Sequence, residues 1–486
     1  MAAIRLRNLP KHQRYEGMYR RFDYYYGLGI EHETYLATSQ TRTIKSFDDA
    51  VLKPERYSVN YYRAYDANIL KSALQQTLIA ADNNLTVPIL LNNHSFTDCD
   101  IYGEHATTYE KRPRPNPKYT GQNFWDWAKN QSPWLRENYG KAFMWDGDTI
   151  EFITQDFYNT TVDRTLDELQ QAHENFIHEL NNLPKRGILI AYSPLRLTQP
   201  DNPGWATYLT NPRAVSMFNN GTIHINVTLP TQLNWRCEPL WRNDFVERHR
   251  RLARIIQWME PLWIAAYGSG DPFTATTSAE YKTKFAAGSQ RLAVSRYIGV
   301  GTFDTVTMSV GKILQIPRPG KGVLPWYDAL YAKTAYVPPK EIGLDINFNK
   351  HWAHGLEVRL FDQMPMQWLK AILLDIVVLM DIAQNTKQIP DPRFAPIWIT
   401  AATDALYLGE NWSPSMEYMA ELMYACGCIP LDISKEPLTP AEVLNWFQEN
   451  TKYRRGWCWN KMVDPSYKVP NRTNCLCLSL CCCCGS

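Results

Sequence analysis

Two glutamates, Glu31 and Glu33, stand two positions apart inside the largely apolar stretch YYYGLGIEHETYL (24–36). Side chains at positions i and i+2 of a strand point to the same face of a sheet. The pattern therefore predicts a strand with both carboxylates on one face and His32 on the other. Because like charges on one sheet face repel each other, this face is expected either to meet water or to bind a cation.

Three further strand-like segments carry ionisable groups on one face. They are DGDTIEFIT (146–154) with Glu151, GTIHINVTLP (221–230) with His224 and Asn226, and HGLEVRLFDQMP (354–365) with Glu357 and Arg359. A solvated face is the ordinary explanation for any one of them. Together, however, they present Glu, His and Arg rather than Lys, Thr and Ser. Hard cations such as Mg²⁺ prefer oxygen ligands and a guanidinium suits phosphate, so the set predicts a metal–nucleotide site.

The nucleotide in such a site would be held by the sheet itself. The sequence contains neither a GxxxxGK[ST] loop nor the glycine-rich loop of protein kinases, the motifs that usually cradle phosphates. The chain has 486 residues, 45% of them hydrophobic and 21% charged, with a formal net charge of +2. This balance is typical of a soluble globular protein and gives no indication of a nucleic-acid partner.

Most of the cysteines are crowded at the end of the chain. Six of the eleven, Cys475, Cys477 and Cys481 to Cys484, fall in the stretch CLCLSLCCCC. The others form no CxxC pair, so neither a zinc site nor a disulfide framework is indicated. The tail has two main interpretations, S-acylation that attaches the protein to a membrane and a disordered, oxidisable or metal-scavenging tail. A prenylation box is a poor fit.

The most hydrophobic run, AILLDIVVLMDIA (371–383), contains two aspartates and is too short to span a bilayer. It predicts a buried helix. The N-terminal residues are basic but lack the apolar core of a secretory signal. We therefore expect a cytoplasmic protein, with membrane association only through acylated C-terminal cysteines.

Helical periodicity is clearest at 163–182, 244–266 and about 365–386. Asp163 is the expected N-cap of the first helix, and Thr439 that of a later one that begins PAEVLNWF. We divide the chain into a basic arm (1–20), a catalytic domain (21–400) with inserted structure at about 40–140, a C-terminal helical region (401–463) and the Cys-rich tail (464–486).

The four strand motifs resemble, in order, those of the glutamate–cysteine ligases, members of the glutamine-synthetase-like carboxylate–amine ligases. The bacterial enzymes carry G-I-E-x-E-T, L-E-F-I-T, I-H-x-N-[FV]-[ST]-L-P and E-V-R-x-x-D-x-x-P. The corresponding segments here are GIEHET (29–34), IEFIT (150–154), IHINVTLP (223–230) and EVRLFDQMP (357–365). The resemblance covers roughly residues 25–385. It implies an α+β fold in which a curved, mostly antiparallel sheet forms a concave active site covered by helices.

The resemblance also implies roles for individual residues. Glu31, Glu33, Glu151, His224 and Glu357 would hold two or three Mg²⁺ ions, with Mn²⁺ as an alternative. Arg359 would contact the γ-phosphate of ATP, and Asn226 would help to bind the nucleotide. Arg296, in SRYIGVG (295–301), would bind a substrate carboxylate. The implied reaction is ATP-dependent amide formation from amino-acid substrates, with glutamate plus cysteine, the first step towards glutathione, as the leading candidate.

The sequence departs from the family pattern in three places. Met144 stands where the family has a further acidic ligand, and Asp146 or Asp148 could replace it. The separation between Glu33 and Glu151 is longer than in bacterial members, and the segment around Arg296 lacks the usual serine–aspartate sequence. Two alternatives therefore stay open: the same chemistry on another amino acid, amine or peptide acceptor, and a degenerate binding protein of this fold.

Overall fold

The structure is a computed structural model. It describes residues 23–46, 74–91 except 76 and 80, 124–146, 149–185, 188–198, 205–209, 211–217, 221–234, 239–269, 288–289, 303–306, 308–310, 346–348, 355–428 and 438–466. Several predicted features lie outside these ranges: the N-terminal arm, Asp148, Arg296 and the six cysteines of the tail.

Thirteen strands are found in the described residues. They are β1 (Tyr24–Thr34), β2 (Leu36–Ile44), β3 (Leu85–Leu91), β4 (Phe143–Asp146), β5 (Thr149–Ile153), β6 (Arg196–Leu197), β7 (Trp205–Tyr208), β8 (Asn211–Met217), β9 (Thr222–Gln232), β10 (Phe303–Asp304), β11 (Ser309–Val310), β12 (Ile346–Phe348) and β13 (Leu356–Asp362).

Besides the helical residues 74–75 and 77–79, ten α-helices have bounds within the described residues. They are α1 (Phe124–Gln131), α2 (Pro133–Asn138), α3 (Val162–Asn182), α4 (Ile188–Tyr192), α5 (Arg242–Tyr267), α6 (Met366–Asn385), α7 (Pro396–Leu408), α8 (Met416–Ala425), α9 (Pro440–Asn450) and α10 (Trp457–Met462).

The main sheet has six strands in the order β12-β13-β9-β1-β5-β4, and every neighbouring pair in it is antiparallel. The four strands that carry the sequence motifs are therefore consecutive neighbours, β13-β9-β1-β5. A second sheet, β6-β2-β3-β7-β8, contains one parallel pair, β3 with β7. The prediction of an α+β fold with mostly antiparallel strands is confirmed.

The two faces of the main sheet differ in polarity because its strands alternate. Ile223, Ile225 and Val227 of β9 lie in the hydrophobic core, as do Ile30 of β1 and Val358 of β13. Helix α3 packs against β1 and β5, and helix α5 packs against β9 and β13. The opposite face, called the polar face below, presents the side chains at positions 31, 33, 151, 224 and 357.

The helices agree with the sequence-based boundaries to within a few residues. The N-cap of α3 was predicted wrongly: it is Thr161, whose hydroxyl accepts a hydrogen bond from the backbone N–H of Arg164, rather than Asp163. Asp163 lies in the first turn of the helix instead, where its negative charge interacts favourably with the helix dipole. At α9 the prediction is confirmed, because Thr439 and Glu442 form a capping box.

Helix α6 contains the most hydrophobic run of the sequence, and it is buried from Ala371 to Ala383, as predicted. Asp375 accepts a hydrogen bond from Trp263 Nε1 at 3.0 Å. Asp381 accepts three from the backbone around α10, at 2.8 to 2.9 Å. Both buried carboxylates are therefore satisfied by donors, which explains their place in an apolar helix. Within the described residues, no helix has the length and apolar character needed to cross a membrane.

Candidate metal and nucleotide site

Strand register brings the predicted residues onto one face of the sheet. Glu31 is paired with His224 across β1 and β9, and Glu33 is paired with Glu151 across β1 and β5. Glu357 is paired with Asn226 across β13 and β9. Residues directly opposite each other in an antiparallel pair share a face. Side chains that lie up to 326 positions apart in sequence (31 to 357) therefore become neighbours.

The centre of the polar face is a group of three buried side chains, Glu31, His224 and Glu357, called the trio below. Their nearest donor atoms all lie within 4.8 Å of one another. His224 Nδ1 lies 3.4 Å from Glu31 Oε2 and 3.6 Å from Glu357 Oε1. Glu357 is fully buried and His224 is 1% exposed. Two carboxylates thus face one imidazole nitrogen in a region of low solvent access.

Glu33 approaches the other nitrogen of the same ring. Its Oε1 lies 3.8 Å from His224 Nε2, and the hydroxyl of Thr222 lies 3.4 Å from that nitrogen. The imidazole therefore separates Glu33 from the other two carboxylates. Glu151, opposite Glu33, is half-buried.

Asn226 contacts the trio directly. Its side-chain Nδ2 donates to Glu31 Oε1 at 3.1 Å, whereas Glu31 Oε2 is the oxygen that approaches His224. One oxygen of the carboxylate is therefore fixed by the amide while the other faces the centre of the group. This is the geometry by which an outer hydrogen bond orients a metal ligand. The contact gives Asn226 an orienting role that its predicted part in nucleotide binding did not include.

Arg359 lies beside the trio, at an irregularity in β13. Val358 is paired with Ile225 and Phe361 with Ile223, so that Arg359 and Leu360 both stand opposite the single residue His224. Such a bulge re-aims side chains and is common beside active sites. Arg359 Nη1 donates to Glu357 Oε1 at 2.6 Å, and its side chain is 19% exposed.

Two glycines of β1 make room for an aromatic ring on the polar face. A Cβ atom at Gly27 would lie 2.1 Å from the ring of Phe157, and one at Gly29 would lie 2.9 Å from it. The backbone N–H of Leu28 donates to the carbonyl of Phe157 at 3.0 Å. Phe157 therefore covers the part of β1 that precedes the carboxylates, which leaves the Glu31 end of the strand as the polar part.

Met144 lies beside Glu151, where the resemblance implied an acidic ligand. It is paired with Glu151 across β4 and β5, and Asp146 is paired with Thr149 one step further along. Asp146 is therefore on the polar face, but the trio is made up of other residues. Asp148, the other predicted substitute, lies outside the described residues.

Sequence reasoning missed two polar-face residues. Thr222 lies beside His224, and Asp362 is paired with Thr222 at the end of β13. Asp362 Oδ2 accepts a hydrogen bond from the backbone N–H of Ser269 at 3.1 Å, just after α5 ends. Alternation alone places Thr222 on the face of His224. Alternation from Glu357 would place Asp362 on the opposite face. The bulge at Arg359 shifts the phase of the strand and brings Asp362 onto the polar face.

On the opposite face of β1, the buried His32 contacts the half-buried His173. His32 Nδ1 and Nε2 of His173, on α3, lie 3.0 Å apart. Burial and the neighbouring imidazole lower the pKa of His32 well below its usual value, and burial lowers the pKa of His173 to about 4. Both rings are therefore neutral at physiological pH. The sequence prediction that His32 faces away from the two glutamates agrees with this arrangement.

The donor atoms of the trio suit a hard divalent cation. An octahedral ion with ligand bonds of about 2.1 Å spaces adjacent ligand atoms about 3 Å apart and opposite ones about 4.2 Å apart. The observed separations of 3.4 and 3.6 Å from His224 Nδ1 lie between these values. The two carboxylates suit Mg²⁺ and Mn²⁺, whereas an imidazole is a more usual ligand of zinc and iron.

Comparison with known proteins places the chain in a family. No protein-family model matches it. The uncharacterized protein R704 of Acanthamoeba polyphaga mimivirus is 36% identical over 407 residues, which cover 82% of this chain and 70% of that protein. The chain belongs to the R704 family. The name of this relative assigns no activity, so the function of the R704 family must be inferred from the site.

One solved structure shows a weak likeness. The crystal structure of a bifunctional glutathione synthetase from Pasteurella multocida aligns with a TM-score of 0.35 and 12% sequence identity. The alignment covers 98% of this chain and 52% of that chain, so the present chain spans about half the length of the synthetase. At this TM-score the alignment assigns neither fold nor activity to the R704 family.

Proposed function

We propose that the chain is an ATP-dependent carboxylate–amine ligase that forms an amide through an acyl phosphate. The observation that carries the proposal is the trio with Arg359 beside it: two buried carboxylates, an imidazole and a guanidinium meet on one sheet face. Cation ligands next to an arginine suit a nucleotide whose phosphates carry metal ions. Glutamate and cysteine are the leading candidates for the substrates.

In this proposal Glu31, His224 and Glu357 hold one divalent cation, and Glu33 with Glu151 contributes to a second. Mg²⁺ is the expected ion, with Mn²⁺ as an alternative, and the total would be two or three. Bound there, such ions neutralise the charge of the phosphate oxygens. Asn226 orients Glu31 through its hydrogen bond. The Thr222 hydroxyl lies close enough to accept a hydrogen bond from His224 Nε2, which would leave Nδ1 free to bind the ion.

A carboxylate is a poor acyl donor because its leaving group would be oxide, so the substrate must first be activated. The substrate carboxylate attacks the γ-phosphorus of ATP, a P–O bond forms, and ADP leaves. The amine then attacks the acyl carbon, inorganic phosphate leaves, and the amine gives up a proton. Arg359 would stabilise negative charge on the transferred phosphoryl group, a contribution typically worth 10²–10³ in rate. Arg296, the proposed carboxylate-binding residue, lies outside the described residues.

The experiment is release of ADP from Mg²⁺-ATP across a matrix of amino-acid pairs, with glutamate plus cysteine first. Release that requires both a carboxylate donor and an amine acceptor supports the proposal and identifies the acceptor. The Glu357→Gln protein is the control for contaminating ATPase activity. Release with glutamate alone that no amine increases contradicts the ligase assignment. Binding of Mg²⁺-ATP without release for any pair would indicate a degenerate binding protein instead.

We also propose S-acylation of the C-terminal cysteines, on sequence alone. Multiple acyl chains would give stable membrane attachment to a chain whose described helices do not cross a membrane. The expected result is recovery in the membrane fraction that hydroxylamine abolishes. Recovery in the soluble fraction of untreated cells would contradict it.

A further inference from the structure

One carboxylate oxygen of the trio serves two partners. Glu357 Oε1 lies 2.6 Å from Arg359 Nη1 and 3.6 Å from His224 Nδ1. It is therefore both the acceptor of the guanidinium and the Glu357 atom nearest the imidazole. The carboxylate is fully buried, while Arg359 is partly exposed.

A divalent cation held by the trio would compete with Arg359 for this oxygen. If both bound it, Nη1 and the divalent ion would lie at most about 4.7 Å apart, the sum of one hydrogen bond and one metal–oxygen bond. Repulsion between charges at such a distance is strong where water is excluded. The guanidinium could move to another anion, because Arg359 stands at the bulge and its side chain is 19% exposed.

We propose that Arg359 exchanges between two anions, the carboxylate of Glu357 and the phosphate of the nucleotide, and that a cation bound by the trio drives the exchange. The inference rests on the proposed function. Cation binding releases the guanidinium from Glu357, and the released guanidinium binds phosphate. Because coupling between two ligands is reciprocal, bound phosphate raises the affinity for the cation by the same factor. The exchange makes Arg359 a residue that links the two sites, in addition to its role in phosphoryl transfer.

A supporting role for Arg359 predicts the opposite sign. If the guanidinium stays on Glu357 and orients it toward the ion, removing Arg359 weakens cation binding, as loss of an outer-shell partner commonly does. If it competes, removing it strengthens cation binding in the absence of nucleotide. The sign of one affinity change separates the two roles.

The test is a titration of the full-length protein with Mn²⁺ alone, with free Mn²⁺ followed by electron paramagnetic resonance. It is repeated in the presence of an ATP analogue whose β–γ bridging oxygen is replaced by NH. Wild type is compared with Arg359→Gln. Arg248→Gln is the control, because Arg248 also forms an ion pair, with Asp244 at 2.8 Å, and has a similar side-chain exposure of 16%. Arg359→Met repeats the test if the glutamine variant does not fold.

We expect Arg359→Gln to bind Mn²⁺ alone on the order of tenfold more tightly than wild type, and the gain in Mn²⁺ affinity caused by the ATP analogue to fall by a similar factor. Arg248→Gln should match wild type in both measurements. Unchanged or weaker binding of Mn²⁺ to Arg359→Gln would overturn the exchange while leaving the ligase proposal intact. If wild type itself binds no Mn²⁺, the proposed function fails and the exchange fails with it.

Discussion

The two faces of strand β1 bury ionisable groups at consecutive positions, but in opposite environments. On the apolar face, His32 meets the neutral imidazole of His173, and lowered pKa values keep both rings uncharged. On the polar face, Glu31 and Glu33 meet His224 together with Glu357 and Arg359. On the apolar face the histidines are uncharged, so their role there is structural. The polar face concentrates charge, which is the arrangement expected where a charged ligand binds.

The largest expected effect is the loss of ligation activity when a charged residue of the polar face is removed. Replacing Glu31, Glu357 or Arg359 by alanine should lower ATP-dependent ligation by at least 10²–10³ with the fold intact, because each group acts on the charge of the reacting phosphates. The measurements are ADP release and the circular dichroism spectrum. The matched control on the same strand is His32→Asn, which should lose stability but keep the ligation rate of the protein that remains folded. Wild-type turnover in any one of the three alanine variants would exclude the assignment.

The next effect concerns the orienting residue. Asn226→Ala should weaken Mn²⁺ binding by roughly 10- to 100-fold, since the amide fixes the Glu31 oxygen that faces away from His224. Isothermal titration with Mn²⁺ measures it. Asn226→Asp, which cannot donate the same hydrogen bond, serves as the companion variant. An unchanged affinity in the alanine variant would show that Glu31 needs no such support.

Much of this site could be predicted from the sequence because strand alternation is local. The period of two put Glu31 with Glu33, and His32 away from them, before any pairing was known. Which strands are neighbours is decided by contacts between distant parts of the chain, such as β1 with β9. The resemblance to a known family implied that the residues share one site, but it gave no strand order. The bulge at Arg359, the position of Asp362 and the partner of His32 depend on tertiary packing, so the pattern could not show them.

The pH dependence of stability tests the apolar face. The pKa of His173 is about 4 in the folded chain and about 6.5 in an unfolded one, so the unfolded chain binds more protons between these values. The stability contributed by the neutral His173 is complete above pH 6.5. As the pH falls towards 4, the free energy of unfolding decreases by up to about 1.4 kcal/mol for each pH unit.

The measurement is the free energy of unfolding in denaturant at pH 7 and pH 5. His173→Gln should lose less stability than wild type over this interval, because one titrating group has been removed. His178→Gln, at an exposed position on the same helix, is the control and should behave like wild type. Equal losses in both variants would show that the His32–His173 pair does not govern the acid response.

The smallest expected effect is a change in Mn²⁺ affinity at the half-buried side of the polar face. Met144→Glu would add a carboxylate opposite Glu151, which lies between this position and Glu33, on the half-buried side of the face. We expect Mn²⁺ binding at this second position to tighten by several-fold, a modest gain because water screens partly exposed charges. Met144→Gln has the same length without the charge and should leave binding unchanged. Equal binding by the two variants would place the second ion elsewhere.

Anomalous diffraction from crystals grown with Mn²⁺ and the ATP analogue tests whether the polar face of the β13-β9-β1-β5 sheet binds divalent cations through the trio. We expect a manganese peak within coordination distance of Glu31, His224 and Glu357, absent from crystals of the Glu357→Gln protein. Phosphate density beside an empty trio, or a manganese peak confined to other residues, would contradict cation binding by the trio.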